Sequence, residues 1–134
     1  MASKPKRVLV VEDDIGMKII MMCLLHSIDR SLQIHWVVSG EEALNELKEK
    51  TTLFHEPYDL VISDIVLAGE TDGVELWRTC KKMFPETRFI FASGVPEEEV
   101  KEKVGKTNAP PLHLSKPFEI ERWQSTLESL LSQN

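Results

Sequence analysis

Five short apolar runs punctuate the chain, and a longer stretch with apolar residues at helical spacing follows each of them. The short runs are Val8–Val11, Ile34–Val38, Leu60–Ser63, Arg88–Ala92 and Leu112–Ser115; their length and apolar content predict strands, the first and third of them buried. Ile15–Ile28 predicts the first helix by length and apolar content. Ser39-Gly40-Glu41-Glu42 has the S-x-x-E form of a capping box and opens a second helix to about Lys50, with a polar loop over Thr51–Pro57. Asp72 caps a third, whose inner face takes Leu76, Met83 and either Trp77 or Cys80. Pro96 suits the first position of a fourth, Glu97–Glu99 complement its positive end, and Gly105 ends it. The last, about Glu119–Leu131, aligns Ile120, Trp123, Leu127, Leu130 and Leu131. Strands alternating with helices imply an α/β fold whose parallel sheet is covered on both faces.

In such sheets ligands bind beyond the carboxyl ends of the strands, and chemistry-bearing residues gather there. The third apolar run closes on Asp64, and the first runs into Glu12-Asp13-Asp14. Asp14 reads as the cap of the first helix. Two carboxylates about 4 Å apart repel by roughly 4 kcal/mol at an effective dielectric near 20, so a cation must sit among these acids or some must hold protons. Oxygen-only donors suit Mg²⁺ or another hard divalent ion. Ser93 and Lys116 also fall at strand ends, which places five polar side chains at one edge of the predicted sheet.

Composition narrows the function. At 134 residues, the chain has the length of one ordinary domain, and it is read as a single domain over 1–134 with an ordered core of about 6–132. A net charge of −6 argues against direct nucleic-acid binding. The longest apolar stretch, Ile19–Leu25, has seven residues, far below the roughly 20 that a membrane span needs. Cys23 and Cys80 stand apart without metal-ligand spacing, which suggests reduced thiols and a cytoplasmic setting.

The segments Val10-Val11-Glu12-Asp13-Asp14, Leu60-Val61-Ile62-Ser63-Asp64-Ile65, Asp72-Gly73-Val74-Glu75-Leu76, Phe91-Ala92-Ser93-Gly94 and Leu114-Ser115-Lys116-Pro117-Phe118 together resemble the receiver domain of two-component response regulators, in the family's order and over essentially the whole chain. The resemblance implies a flavodoxin-like (βα)5 three-layer sandwich with strand order 2-1-3-4-5. It implies that Asp64 accepts a phosphoryl group from a phosphohistidine on a sensor histidine kinase or histidine phosphotransfer protein. Glu12, Asp13, Asp64 and the Val66 backbone carbonyl would hold Mg²⁺ (or Mn²⁺). Lys116, Ser93 and the Gly94 amide would contact the phosphoryl oxygens, and the Lys116–Pro117 bond is typically cis in that family. Catalysis would be limited to self-phosphorylation and slow self-dephosphorylation, so the chain is not expected to be an enzyme in the usual sense.

Two departures and one surface qualify that picture. Ala68 stands where the family commonly has proline, and the loop before Asp72-Gly73 is one residue longer, which predicts a more mobile segment. His113 stands three residues before Lys116, where an aromatic partner of the Ser93 switch is usual; imidazole is smaller than Tyr and can titrate near neutrality, so an altered, pH-responsive switch is expected, the alternative being a histidine that only fills the same groove. If Met17, Ile20, Met21, Leu24 and Ile28 face the sheet, then Ile15, Ile19, Met22 and Cys23 form an outward apolar stripe. Ile15, Ile19 and Met22 are expected to dock the phosphodonor, the alternative being a homodimer contact or an extra core element. The competing function is a receiver-shaped adaptor that is never phosphorylated. A haloacid-dehalogenase-like phosphatase would need an acid at Val66, and a flavodoxin proper would not place Glu12-Asp13-Asp14 against a flavin phosphate.

Overall fold

The computed structural model describes residues 4–107, 109–116 and 119–132. Strands β1 (Arg7–Val11), β2 (Gln33–Val37), β3 (Leu60–Ser63), β4 (Arg88–Ser93) and β5 (Leu112–Ser115) alternate with helices α1 (Ile15–Ile28), α2 (Gly40–Lys48), α3 (Gly73–Met83), α4 (Glu97–Val104) and α5 (Ile120–Ser132). The strands form one parallel sheet in the order β2-β1-β3-β4-β5, as the resemblance implies. Helices on both faces explain why the central strands β1 and β3 read as continuous apolar runs, buried nearly throughout, while the edge strands β2 and β5 expose several residues. Val8, Val10, Leu60, Ile62, Ile90, Ala92 and Leu114 pack in one cluster with Met21, Leu24 and Leu25 of α1 and Trp123, Leu127 and Leu131 of α5. On the other face Leu9, Val11 and Val61 meet Ala43 and Leu47 of α2 and Leu76 and Cys80 of α3. A third cluster joins Phe91 to Val74 and Trp77 of α3 and Val100 and Val104 of α4.

Local chemistry sets the helix ends as expected. The Asp14, Ser39 and Asp72 side chains accept from the Met17, Glu42 and Glu75 amides, and Gly105 closes α4 at φ +77°. Several positions differ from the sequence reading. β2 lies one residue earlier, and Pro96 is the cap of α4 rather than its first helical residue. The segment after α2 is not a plain loop: Glu49–Leu53 forms a π-helical turn, closed by the Phe54 amide donating to the Glu49 carbonyl. The β-branched pair Thr51-Thr52 is poorly suited to tight α-helical winding and accounts for the looser turn.

Three apolar residues predicted to face the core are exposed: Met83, Ile120 and Ile20. Met83 ends α3, and Phe84 beyond it turns inward in its place. Trp77 and Cys80 are both buried rather than one or the other, and burial pushes the Cys80 thiol up to about 12. On α1, Leu25 takes the inward position given to Ile20, so the outward apolar surface is broader than predicted.

Trp123 links this packing to the strand ends. It is 1% exposed, and its indole Nε1 donates to the Ser115 carbonyl at 3.1 Å, immediately before Lys116. Trp123→Phe removes that donor and part of the ring, and is expected to cost about 1–2 kcal/mol from the orphaned carbonyl and the vacated volume. The shift in urea midpoint at unchanged slope checks it.

Candidate functional site

At the carboxyl edge of the sheet, β1 and β3 deliver two acids side by side because their registers match. Val11 pairs with Ser63, so the next residues, Glu12 and Asp64, leave the sheet together. The Asp64 amide donates to the Val11 carbonyl at 3.1 Å, and the Glu12 amide donates to the Val37 carbonyl at 3.0 Å. Across the sheet, Ser93 of β4 pairs with Ser115 of β5. The Lys116 amide donates to the Ser93 carbonyl at 3.0 Å, which fixes Lys116 against the acids.

The Lys116 ammonium is the centre of the site. Nζ lies 3.0 Å from Asp64 Oδ2 and 3.1 Å from Glu12 Oε2. Asp64 Oδ1 accepts from the backbone amides of Ile65 at 2.7 Å and Val66 at 3.3 Å, so both carboxylate oxygens are oriented. Glu12 is 5% exposed and its Oε1 accepts from the Asp14 amide at 3.2 Å. Burial is the main influence on Glu12 and holds its carboxyl above the usual range, against the hydrogen bond and charge of Lys116. Burial alone would lower Lys116, but the hydrogen bonds and charges of Asp64 and then Glu12 outweigh it and keep the ammonium above its ordinary value. One cation among the crowded carboxylates is thus supplied by the chain itself, as Lys116.

Ser93 is buried, and its hydroxyl oxygen accepts from the Val95 amide at 3.1 Å, which leaves its proton free to donate elsewhere. Gly94 is exposed, with open space where a Cβ would stand. Asp13 faces solvent, and Val66 is exposed at the start of the β3–α3 loop. His113 pairs with Phe91 rather than Ser93 across β4 and β5, half-buried on the α3–α4 side, and its Nε2 is buried without a hydrogen-bond partner. Pro117 and Phe118, with the expected cis bond, lie outside the described residues.

The oxygen-only donors Glu12, Asp13, Asp64 and the Val66 carbonyl fit Mg²⁺ or Mn²⁺ in chemical type. Among the described residues no three His, Cys, Asp or Glu side chains are gathered as a ready-made metal cluster. Lys116 stands between two of the acids and Asp13 is exposed, so the single ammonium offsets part of the negative charge gathered there.

One contributor escaped the sequence reading. The indole Nε1 of Trp36 donates to the Glu12 carbonyl at 2.5 Å, and the Lys18 ammonium lies 3.9 Å from the ring centroid. Trp36 thereby ties α1 and the edge strand to the acid-bearing turn. Only the β1–β2 register, which sets Trp36 opposite Val10, brings the indole there, and the sequence carries no local sign of that pairing.

The family model for the response regulator receiver domain matches residues 8–128. The sensor kinase CckA of Brucella abortus (strain 2308) is 32% identical over 124 residues, which are 92% of this chain and 12% of that kinase. The response regulator receiver protein CpdR of the same organism is 27% identical over 126 residues, 94% of this chain and 97% of that protein. The chain thus spans a small part of the first relative and nearly all of the second. Among solved structures, the signal receiver domain of an HD domain-containing protein from Pseudomonas fluorescens Pf-5 superimposes with a TM-score of 0.80 at 22% identity, over 98% of this chain and 90% of that one. At that identity the likeness shows the fold alone. No helix among the described residues is long and apolar enough to cross a membrane.

Proposed function

The chain belongs to the response regulator receiver domain family of two-component systems, and from that membership we propose that it is a phosphoacceptor whose Asp64 takes a phosphoryl group from a phosphohistidine and changes the protein's surface for a partner. Receiver domains interact with histidine kinases or phosphotransfer proteins, are typically switches rather than enzymes, and are generally Mg²⁺-dependent. The observation that carries the proposal is the Asp64 carboxylate, oriented by two backbone amides and held 3.0 Å from Lys116.

In this reading an Asp64 carboxylate oxygen bonds to phosphorus as the phosphorus–nitrogen bond of the donor breaks, and the imidazole nitrogen keeps the electron pair. A carboxylate meeting a phosphoryl group is a collision of anions, so positive charge must be in place first. Lys116 supplies one such charge, as a compact ammonium already aimed at the reacting oxygens. A divalent ion held by Glu12, Asp13, Asp64 and the Val66 carbonyl would supply the rest by neutralising the approach. Ser93 donates its free hydroxyl proton to a phosphoryl oxygen and the Gly94 amide adds a second donor. His113, one pleat below Ser93 and in register with Phe91, adjusts with it.

Wild-type protein incubated with acetyl phosphate and Mg²⁺ is expected to gain the mass of one phosphoryl group, and a chelator is expected to prevent the gain. If neither the adduct nor capture of beryllofluoride is seen, the non-phosphorylated adaptor becomes the better account.

The α1 surface gives the phosphodonor a place to dock. Ile15 and Ile19 are 65% and 57% exposed, Cys23 is exposed and Met22 is half-buried, and the methionine adapts readily to a partner's shape. Ile19→Glu is expected to slow transfer from the cognate phosphohistidine protein by about tenfold, the size of a single interface anchor, while labelling by acetyl phosphate stays unchanged. Equal transfer rates for both proteins would place docking elsewhere and leave the stripe to a homodimer.

A further inference from the structure

We propose that Glu41 is a positioning residue that latches the β3–α3 loop beside the acidic pocket and so lengthens the life of a phosphoryl group on Asp64. This rests on the phosphoacceptor reading above. Glu41 and Glu42 are adjacent acids in the first turn of α2, where the helix dipole favours negative charge, yet they do different things. Glu42 secures the helix end: its amide donates to Ser39 Oγ, and its carboxylate accepts from the Val38 amide, one residue before the cap, at 3.1 Å. Glu41 reaches away from the helix, and its Oε1 accepts from the Thr71 amide at 2.6 Å.

The surrounding chain is shaped for that contact. Gly69 sits at φ +89°, and a Cβ there would lie 2.4 Å from Glu41 Oε2. Gly40 lets the loop approach, because a Cβ there would lie 2.7 Å from the Thr71 carbonyl oxygen. Ala68 forms a parallel bridge with Ser39, and Leu67 packs against the α2–α3 core cluster. The loop that lacks a stiffening proline is thus tied at Leu67, Ala68 and Thr71. The hydrogen bond from the Thr71 amide holds the Glu41 carboxyl below the usual range, so the latch stays ionised at neutral pH.

The fastened loop begins at Val66, whose amide donates to Asp64 Oδ1. Loss of the phosphoryl group is a hydrolysis: a water oxygen bonds to phosphorus, the phosphorus–oxygen bond to Asp64 breaks, and carboxylate, inorganic phosphate and a proton are released. A loop held in place limits the directions from which that water arrives.

Two variants separate the acceptor from its charge, since Glu41→Gln keeps a carbonyl oxygen for Thr71 and Glu41→Ala keeps none. In unphosphorylated protein, Thr71 amide exchange is expected to quicken by about tenfold or more in Glu41→Ala, as for a locally opened amide, with Glu41→Gln between it and wild type. The phosphoryl half-life after donor removal is expected to fall several-fold in Glu41→Ala and to recover partly in Glu41→Gln, with melting temperature nearly unchanged throughout. Unaltered Thr71 exchange would overturn the latch. Faster exchange with an unchanged half-life would overturn its role in phosphoryl retention. Absence of both an adduct and beryllofluoride capture in the wild type would sink the phosphoacceptor reading instead, and the exchange of Thr71, read without a donor, would still decide the latch.

Discussion

Asp64→Asn is expected to abolish the phosphoryl adduct while leaving the protein folded. An amide nitrogen, its lone pair delocalised, does not attack phosphorus as a carboxylate oxygen does, and no other carboxylate in the site is as well aimed. Glu12 is buried and held above the usual carboxylate range, and Asp13 faces solvent. The structural consequence is modest but specific. An asparagine oxygen can keep accepting from the Ile65 amide, which now reaches Asp64 Oδ1 at 2.7 Å. Its NH₂ group then meets the Lys116 ammonium where Oδ2 stood, donor against donor. Lys116 is left to Glu12 alone, and removal of the Asp64 charge relieves repulsion on Glu12. These effects oppose one another, so the net change in stability is expected within about 1 kcal/mol. Intact mass after acetyl phosphate treatment, with urea unfolding in parallel, checks both parts. An adduct of undiminished yield in the variant would move the acceptor away from Asp64.

How far this site was legible follows from which contacts are local. The acid at the end of β3 and the acid cluster after β1 stand out because buried apolar runs rarely end in charge, and parallel strands bring their carboxyl ends to one edge. The caps Asp14, Ser39 and Asp72 are each read within three residues. The π-helical turn at Glu49–Leu53 was hidden because its β-branched threonines resemble loop composition as much as helix. Met83, Ile20 and Ile120 carry the right periodicity for burial, but they sit at a helix end or on the outer flank of a helix, where tertiary packing decides. Lys116 between Glu12 and Asp64, Trp36 on the Glu12 carbonyl and Glu41 on the Thr71 amide join residues 104, 52, 24 and 30 positions apart. Pairings at that distance depend on strand register and on the path of one loop, which no local pattern encodes.

Lys116→Ala is expected to destabilise the protein at neutral pH by about 1–3 kcal/mol. Breaking a buried pair by removing one partner costs roughly 3–5 kcal/mol, and the range is lowered because the Lys116 side chain is 20% exposed and solvent screens what it reaches. The cost falls mainly on Glu12, which would remain buried beside Asp64 with no cation. The pH dependence separates charge from packing. Lys116 is raised in the folded state, so its contribution is full below the ordinary value of 10.5 and is lost as pH rises through the raised one. Glu12 is also raised in the wild type and goes higher without Lys116. Its penalty is therefore absent below the ordinary value of 4.5, where the carboxyl is protonated folded or unfolded, grows as pH rises from there, and is complete above the raised value. The difference between wild type and variant should form a plateau across neutral pH, narrowing in acid and again above 10.5. Urea unfolding at about pH 4, 7 and 11 traces it. Added Mg²⁺ should restore part of the loss at neutral pH, because a divalent ion among the same oxygens replaces the missing positive charge. A loss of equal size at all three pH values, indifferent to Mg²⁺, would mean that Lys116 matters for the packing of its methylene chain and not for the charge it places between Glu12 and Asp64.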